Sequence, residues 1–171
     1  MNNLSVAIAH SLELDSRIAI REIIEKCEYQ LGLNSPTAGI LYTGIDAEYE
    51  LILANILNKW PDLQVIGCTT DGEFSSEKGY NQDSIVLILL CSDVCHMVSG
   101  CISNTADDLG VECSTAYLDA FKRLGEEPKL CILFSDVLHV NGETIIEQLT
   151  LASDGLIPIV GGYCGRQLAF W

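Results

Sequence analysis

Cys68, Thr69, Thr70, Asp71 and Glu73 stand together at the end of the apolar run 63–67, with Gly67 and Gly72 set among them. A buried core does not need a thiol, two hydroxyls and two carboxylates at one strand end. These side chains bring hydrogen-bond donors and acceptors to one place, and glycine lets the backbone turn sharply or approach a bound group closely. Small-molecule pockets of α/β proteins are built this way. A second glycine-rich turn, Gly161-Gly162-Tyr163-Cys164-Gly165, follows the apolar run 156–160. Ligands of open α/β sheets bind beyond the carboxyl ends of the strands, so two such turns are expected to wall a single pocket. The candidate ligand-binding residues are therefore Gly67, Cys68, Thr69, Thr70, Gly72, Glu73, Gly161, Gly162 and Gly165.

Cys68 also admits an enzymatic reading. It sits beside backbone N–H groups able to hold an oxyanion, and Cys164 is similarly placed. A thiol nucleophile needs a base, and the histidines are His10, His96 and His139. His10 follows the first apolar run and His139 the run 130–134, so either could reach the same edge. No nucleophile-elbow signature accompanies them, and Cys68 is expected to be a small residue fitted under a turn rather than a catalyst. Cys91, Cys95, His96 and Cys101 are of types that bind zinc. As neighbours on an expected strand, however, Cys95 and His96 point to opposite faces, so no metal is expected. No cofactor is expected either: neither G-x-G-x-x-G nor a Walker A sequence occurs.

These groups need a scaffold, and the apolar pattern supplies one. With 171 residues, 49% apolar and 19% charged, the chain has enough apolar surface for one packed domain. Residues 4–9, 38–42, 63–67, 85–90, 129–134 and 156–160 read as strands. The run 85–90 is apolar on both faces and reads as central. Asp15 is expected to cap a helix to about Leu31, with Ile20, Ile23, Ile24, Cys27 and Leu31 as its buried stripe and Gly32 as its stop. A second helix, from about Asp46, puts Tyr49, Ile52, Leu53, Ile56 and Trp60 on one face and ends at Pro61. Thr105 is expected to cap a third helix and Asn141 a fourth. Residues 75–82 read as an exposed polar loop, and 95–103 as the hairpin partner of the central strand. The expected fold class is α/β, a mixed, mostly parallel sheet flanked by helices, in the order β-α-β-α-β-β-β-α-β-α-β.

Charge and hydropathy narrow the partners. A net charge of -15 repels phosphate backbones, so nucleic acid is not expected. No segment approaches the roughly 18 apolar residues that cross a bilayer, and residues 1–5 carry no signal-peptide pattern. The expectation is a cytoplasmic protein without membrane insertion, whose eight cysteines stay reduced and mostly act as small hydrophobes.

The segment Ile66-Gly67-Cys68-Thr69-Thr70-Asp71-Gly72-Glu73 resembles the G-C-S/T-S/T-x-G-E turn of the N-terminal part of the FIST domain. Residues 157–165 resemble the same domain's later strand and its G-G-x-A/C-G turn. The intervening strand, hairpin, helix and strand also fit, so the resemblance runs from about Val6 to Gly165. One position departs: the family usually has an acid after the final glycine, where this chain has Arg166.

The resemblance implies a sensory domain of signalling proteins that binds a small ligand and passes the signal to an output module. Amino acids are a suggested ligand class. Family members continue into a C-terminal FIST part, so residues 1–171 are expected to form a single N-terminal FIST-like domain of a longer protein. Its partners would be that C-terminal part or an output module. A ligand carboxylate is expected on backbone N–H groups near Gly72 or Gly142, with Glu73 against the amine. Two other functions compete: a protein-interaction module, and a cysteine-dependent hydrolase or transferase.

Overall fold

The computed structural model describes residues 4–102, 109–136, 141–164 and 169–170, the last two by their backbone alone. Thr105, His139, Gly165 and Arg166, singled out above, lie outside the described residues.

The first half of the chain alternates strand and helix. Strand β1 (Leu4–Ser11) leads into helix α1 (Ser16–Leu31). Asp15 caps α1 as expected, its carboxylate accepting from the N–H groups of Arg17 at 2.8 Å and Ile18 at 3.2 Å. Ala19, Ile20, Ile23, Cys27 and Leu31 recur at helical spacing and are buried. Gly32, at φ +58°, ends the helix with its N–H on the Glu28 carbonyl. Strand β2 (Ala38–Gly44) follows, then helix α2 (Tyr49–Lys59), which buries Ile52 and Ile56. The two helices are tied where Glu48 N–H donates to Ser16 Oγ at 3.0 Å.

Strand β3 (Gln64–Thr70) runs three residues past the end of the apolar run, and contains Gly67 to Thr70 of the first glycine turn. Thr69 and Thr70 extend it because they pair in parallel with Thr43 and Gly44 of β2, and threonine suits a pleated surface. Two short strands, β4 (Glu73–Ser75) and β5 (Gly79–Asn81), make a hairpin where a polar loop was expected. Strand β6 (Ile85–Ser92) is central, as its apolar run predicts. Its expected hairpin partner does not form: residues 95–102 carry no strand, and β6 is already flanked on both sides by β1 and β2.

The five-stranded sheet runs β1-β6-β2-β3-β9, where β9 is Ala169–Phe170. β1, β2 and β3 point one way; β6 and β9 oppose them. Alternation divides the strands into two faces. Ala7, Ala9, Leu41, Val65, Leu87 and Leu89 meet α1 and α2 in the main core. The opposite face carries His10, Tyr42, Cys68 and Thr70.

The second half adds helix α3 (Leu109–Leu124), strand β7 (Cys131–Asp136), helix α4 (Gly142–Ala152) and strand β8 (Ile159–Cys164). β7 and β8 pair in parallel. Cys131, Leu133 and Ile159 pack on a smaller core made by Cys113 of α3 with Ile145 and Leu149 of α4. Ile132, Phe134 and Val160 therefore turn away from those helices, towards β2 and β3. The α/β class and the mixed sheets flanked by helices agree with the sequence reading.

Candidate functional site

The two glycine-rich segments converge on one cleft of about 390 Å3. Tyr42 of β2 and Cys68 and Thr70 of β3 line one side; Ile132, Phe134, Val160, Gly161, Gly162 and Tyr163 of β7 and β8 line the other. The walls touch where the Tyr42 and Phe134 rings meet edge to face, their centroids 5.6 Å apart at 83°. None of the lining residues carries a formal charge. The offered chemistry is aromatic and aliphatic surface, the hydroxyls of Tyr42, Thr70 and Tyr163, and the Cys68 thiol. Burial, and secondarily the nearby Cys68, push the Tyr42 phenol above its ordinary range, so it stays protonated.

Gly161 is required by the packing of β8 on β7. A Cβ there would fall inside the Leu133 carbonyl group, whereas one at Gly162 would meet nothing within 4 Å. The first keeps two backbones close; the second keeps the cleft floor open.

Cys68, at the cleft lining, and Cys164 are both buried. The neighbouring Cys164 thiol, then burial and the nearby Glu73, raise the Cys68 thiol far above its usual range. The Cys68 thiol in turn lowers Cys164, against burial and the nearby Asp136. Cys68 is thus the proton-holding partner, an arrangement opposite to that of an activated nucleophile.

The other candidate residues are placed elsewhere. Gly67 lies within β3, opposite Leu41 of β2 and Phe170 of β9. Thr69 is buried on the helix-facing side of the sheet. Gly72 is covered by the ring of Tyr80, which a Cβ would strike. Glu73 is 3% exposed and its carboxylate is occupied within the protein. Its Oε1 accepts from Thr70 Oγ1 at 2.5 Å, and its Oε2 from the N–H and hydroxyl of Ser84. The expected contact between Glu73 and a ligand amine does not fit this geometry.

Glu73 instead ends a buried chain of hydrogen bonds. Ser84 Oγ gives its proton to Glu73 Oε2 at 2.6 Å, so its oxygen receives the N–H of His10 Nε2 at 2.9 Å. His10 Nδ1 is then an acceptor, taking the Ser75 hydroxyl proton at 2.7 Å. Ser75 Oγ in turn receives Lys78 N–H at 3.1 Å. His10 is fully buried, and burial lowers its pKa despite the opposing pull of Glu73. It is committed to two serines rather than to a cysteine.

Tyr42, Ile132, Phe134, Val160 and Tyr163 were not among the residues read from sequence as site candidates. Their only signal is strand alternation, which makes them look like ordinary core. The zinc-like set does not assemble: Cys91 is buried while Cys95 and Cys101 are exposed. His96 lies 3.7 Å from Glu126. Among the described residues, no three His, Cys, Asp or Glu side chains gather as a metal site requires. A separate groove of about 480 Å3, lined by residues of α1 and α2 such as Arg17, Arg21, Glu25 and Asn55, touches neither glycine segment. Among the described residues, no helix is long and apolar enough to cross a membrane.

In a comparison with protein families, the model described as FIST N domain matches residues 37–171, from just before β2 onward. No curated protein matches the chain.

Proposed function

Because this chain belongs to the FIST N domain family, a family of sensory domains in signal transduction, we propose that it is a non-catalytic sensor whose cleft between β2–β3 and β7–β8 takes a small ligand. The observation that carries this reading is the convergence of Cys68 and Thr70 with Gly161 and Gly162 on one cavity. Its volume falls in the range of about 300–1,000 Å3 usual for small-molecule sites, and its lining has the usual make-up, mostly apolar with a few hydroxyls. The ligand has an apolar body and one or two hydrogen-bonding groups. Among amino acids, those with aromatic or aliphatic side chains suit this lining best. With Glu73 occupied, the amine would be met by hydroxyls rather than by that acid.

A ligand spanning the cleft touches both walls, so it favours whichever arrangement of the two best matches it. A neighbouring C-terminal FIST part or output module would read that difference, in a cytoplasmic signalling protein. Calorimetric titration of the chain with each common amino acid tests the ligand class. Heat from apolar amino acids that disappears in Gly162→Val supports the reading; heat from none of them removes amino acids.

One observation favours a second reading, a protein-interaction module. On the helix-free face of the sheet, Leu4 and Val6 are exposed, while Ile8, Ile40, Ile66 and Ile88 are only half-buried. Light scattering after size-exclusion chromatography separates the two: a monomer at high concentration counts against a large self-associating face. A cysteine-dependent hydrolase has less support, since Cys68 holds its proton and His10 is engaged with Ser75 and Ser84.

A further inference from the structure

The hydroxyls of the cleft are not equivalent. Thr70 Oγ1 donates its single proton to Glu73 Oε1 at 2.5 Å. A hydroxyl has one proton and two lone pairs, so this oxygen is left only to accept. Thr70 is half-buried on the lining, whereas Glu73 behind it is 3% exposed. The second Glu73 oxygen accepts from the N–H and the hydroxyl of Ser84. These three donors are all neutral, so none of them cancels the charge of the carboxylate. After the Cys164 thiol and burial, that charge also raises the Cys68 thiol, so its field reaches a second lining residue. No Arg, Lys or His stands among the lining residues to balance an anion.

We propose, on the reading of the cleft as a ligand site, that it selects an apolar primary amine, whose ammonium donates to Thr70 Oγ1, and that it offers no place to a carboxylate. A hydroxyl that already donates to a carboxylate is polarised into a stronger acceptor. An ammonium bonded to it lies one hydroxyl away from the Glu73 charge, which offsets part of the hydration it loses on entry. A carboxylate in the same cleft meets lone pairs at Thr70 with a like charge behind them. Its available side-chain donors are the neutral phenols of Tyr42 and Tyr163 and the Cys68 thiol. An apolar amino acid therefore binds through its amine, and its carboxylate adds nothing. Two analogues of phenylalanine separate these groups: 2-phenylethylamine keeps the amine alone, and 3-phenylpropanoate keeps the carboxylate alone.

The test titrates the whole chain with these three compounds by calorimetry, and follows the ring signals of Tyr42 and Tyr163 by NMR. The amine is expected to bind at least as tightly as phenylalanine, and about tenfold or more tighter than the acid, as suits one hydrogen bond to a charged group. Thr70→Val is expected to lose about that factor for the amine and to leave the acid unchanged, while Thr70→Ser restores amine binding. Binding of 3-phenylpropanoate as tight as that of the amine overturns the proposal and leaves the ligand reading standing. Amine binding that is unchanged in a folded Thr70→Val does the same. Binding by none of the three, with both tyrosine signals unmoved, overturns the ligand reading and this proposal together. The three compounds are compared on the unaltered chain, so a variant that does not fold leaves the result decisive.

Discussion

The Glu73 carboxylate holds Ser84 twice, accepting from its backbone N–H at 3.0 Å and from its hydroxyl at 2.6 Å. The two residues join the β4–β5 hairpin to the entry of β6, and through His10 they reach the end of β1. A substitution at Glu73 therefore removes a structural acceptor. Glu73→Ala leaves two donors of Ser84 buried without a partner, and a buried unsatisfied donor costs about 1–3 kcal/mol. The expected loss of stability is about 3 kcal/mol, read from the urea midpoint. An unchanged midpoint would remove the structural role.

His10 predicts a pH dependence. Its folded pKa lies below the ordinary value of 6.5, chiefly through burial, with Glu73 and Glu77 pulling it up and Lys78 and Lys26 pushing it down. Below pH 6.5 the unfolded chain takes up a proton that the folded chain refuses. The stability contribution is thus complete above pH 6.5 and is lost as pH falls towards the folded pKa. Thermal melts between pH 7.5 and pH 5 are expected to fall more steeply for the native sequence than for His10→Gln. Parallel slopes would show that other groups set the acid sensitivity.

Gly161 and Gly162 are expected to behave oppositely despite being neighbours. A methyl group at Gly161 collides with the backbone of Leu133, which cannot yield without breaking the β7–β8 ladder. Gly161→Ala should lose about 3 kcal/mol or more, at the upper end of overpacking effects. At Gly162 the added carbon meets open space, so Gly162→Ala should melt within a few degrees of the native chain. Equal melting temperatures for the two variants would contradict the β8 packing described above.

Cysteine labelling should follow position rather than count. Iodoacetamide at pH 8 is expected to modify the exposed Cys95 and Cys101 first. Cys27, on the buried face of α1, has its thiol pushed up to about 12 by burial and should stay unmodified until the protein unfolds. Mass spectrometry of a time course checks the order, and early loss of Cys27 would show that the main core opens.

Much of the scaffold was legible because it obeys local rules. The α1 stripe, the Asp15 and Asn141 caps and the Gly32 stop follow from spacing and side-chain type over a few residues. The β4–β5 hairpin was missed because three-residue strands are too short for alternation to register. The strand expected at 95–103 failed for a tertiary reason: both edges of β6 are already occupied. At the site, glycine and threonine content pointed to β3 and β8. It could not reveal that Tyr42 and Phe134 form the opposing walls, nor that Glu73 turns inward. The His10–Ser75 and His10–Ser84 contacts join residues 65 and 74 positions apart, which no local pattern encodes.

The place of β6 between β1 and β2 also governs the order in which this protein can fold. Among the described residues β1 has no neighbour in the sheet except β6, with Ser11 opposite Ile85 and Leu4 opposite Ser92. On the ribosome, β1 and β2 therefore emerge with a strand-wide gap between them. Their hydrogen-bonding edges stay open until residues 85–92 are released. Pairing across such sequence distances is slow, and open edges recruit other chains. The nascent half-sheet is the stage at which a chaperone would have most to shield, and the arrival of β6 is the event that ends the exposure.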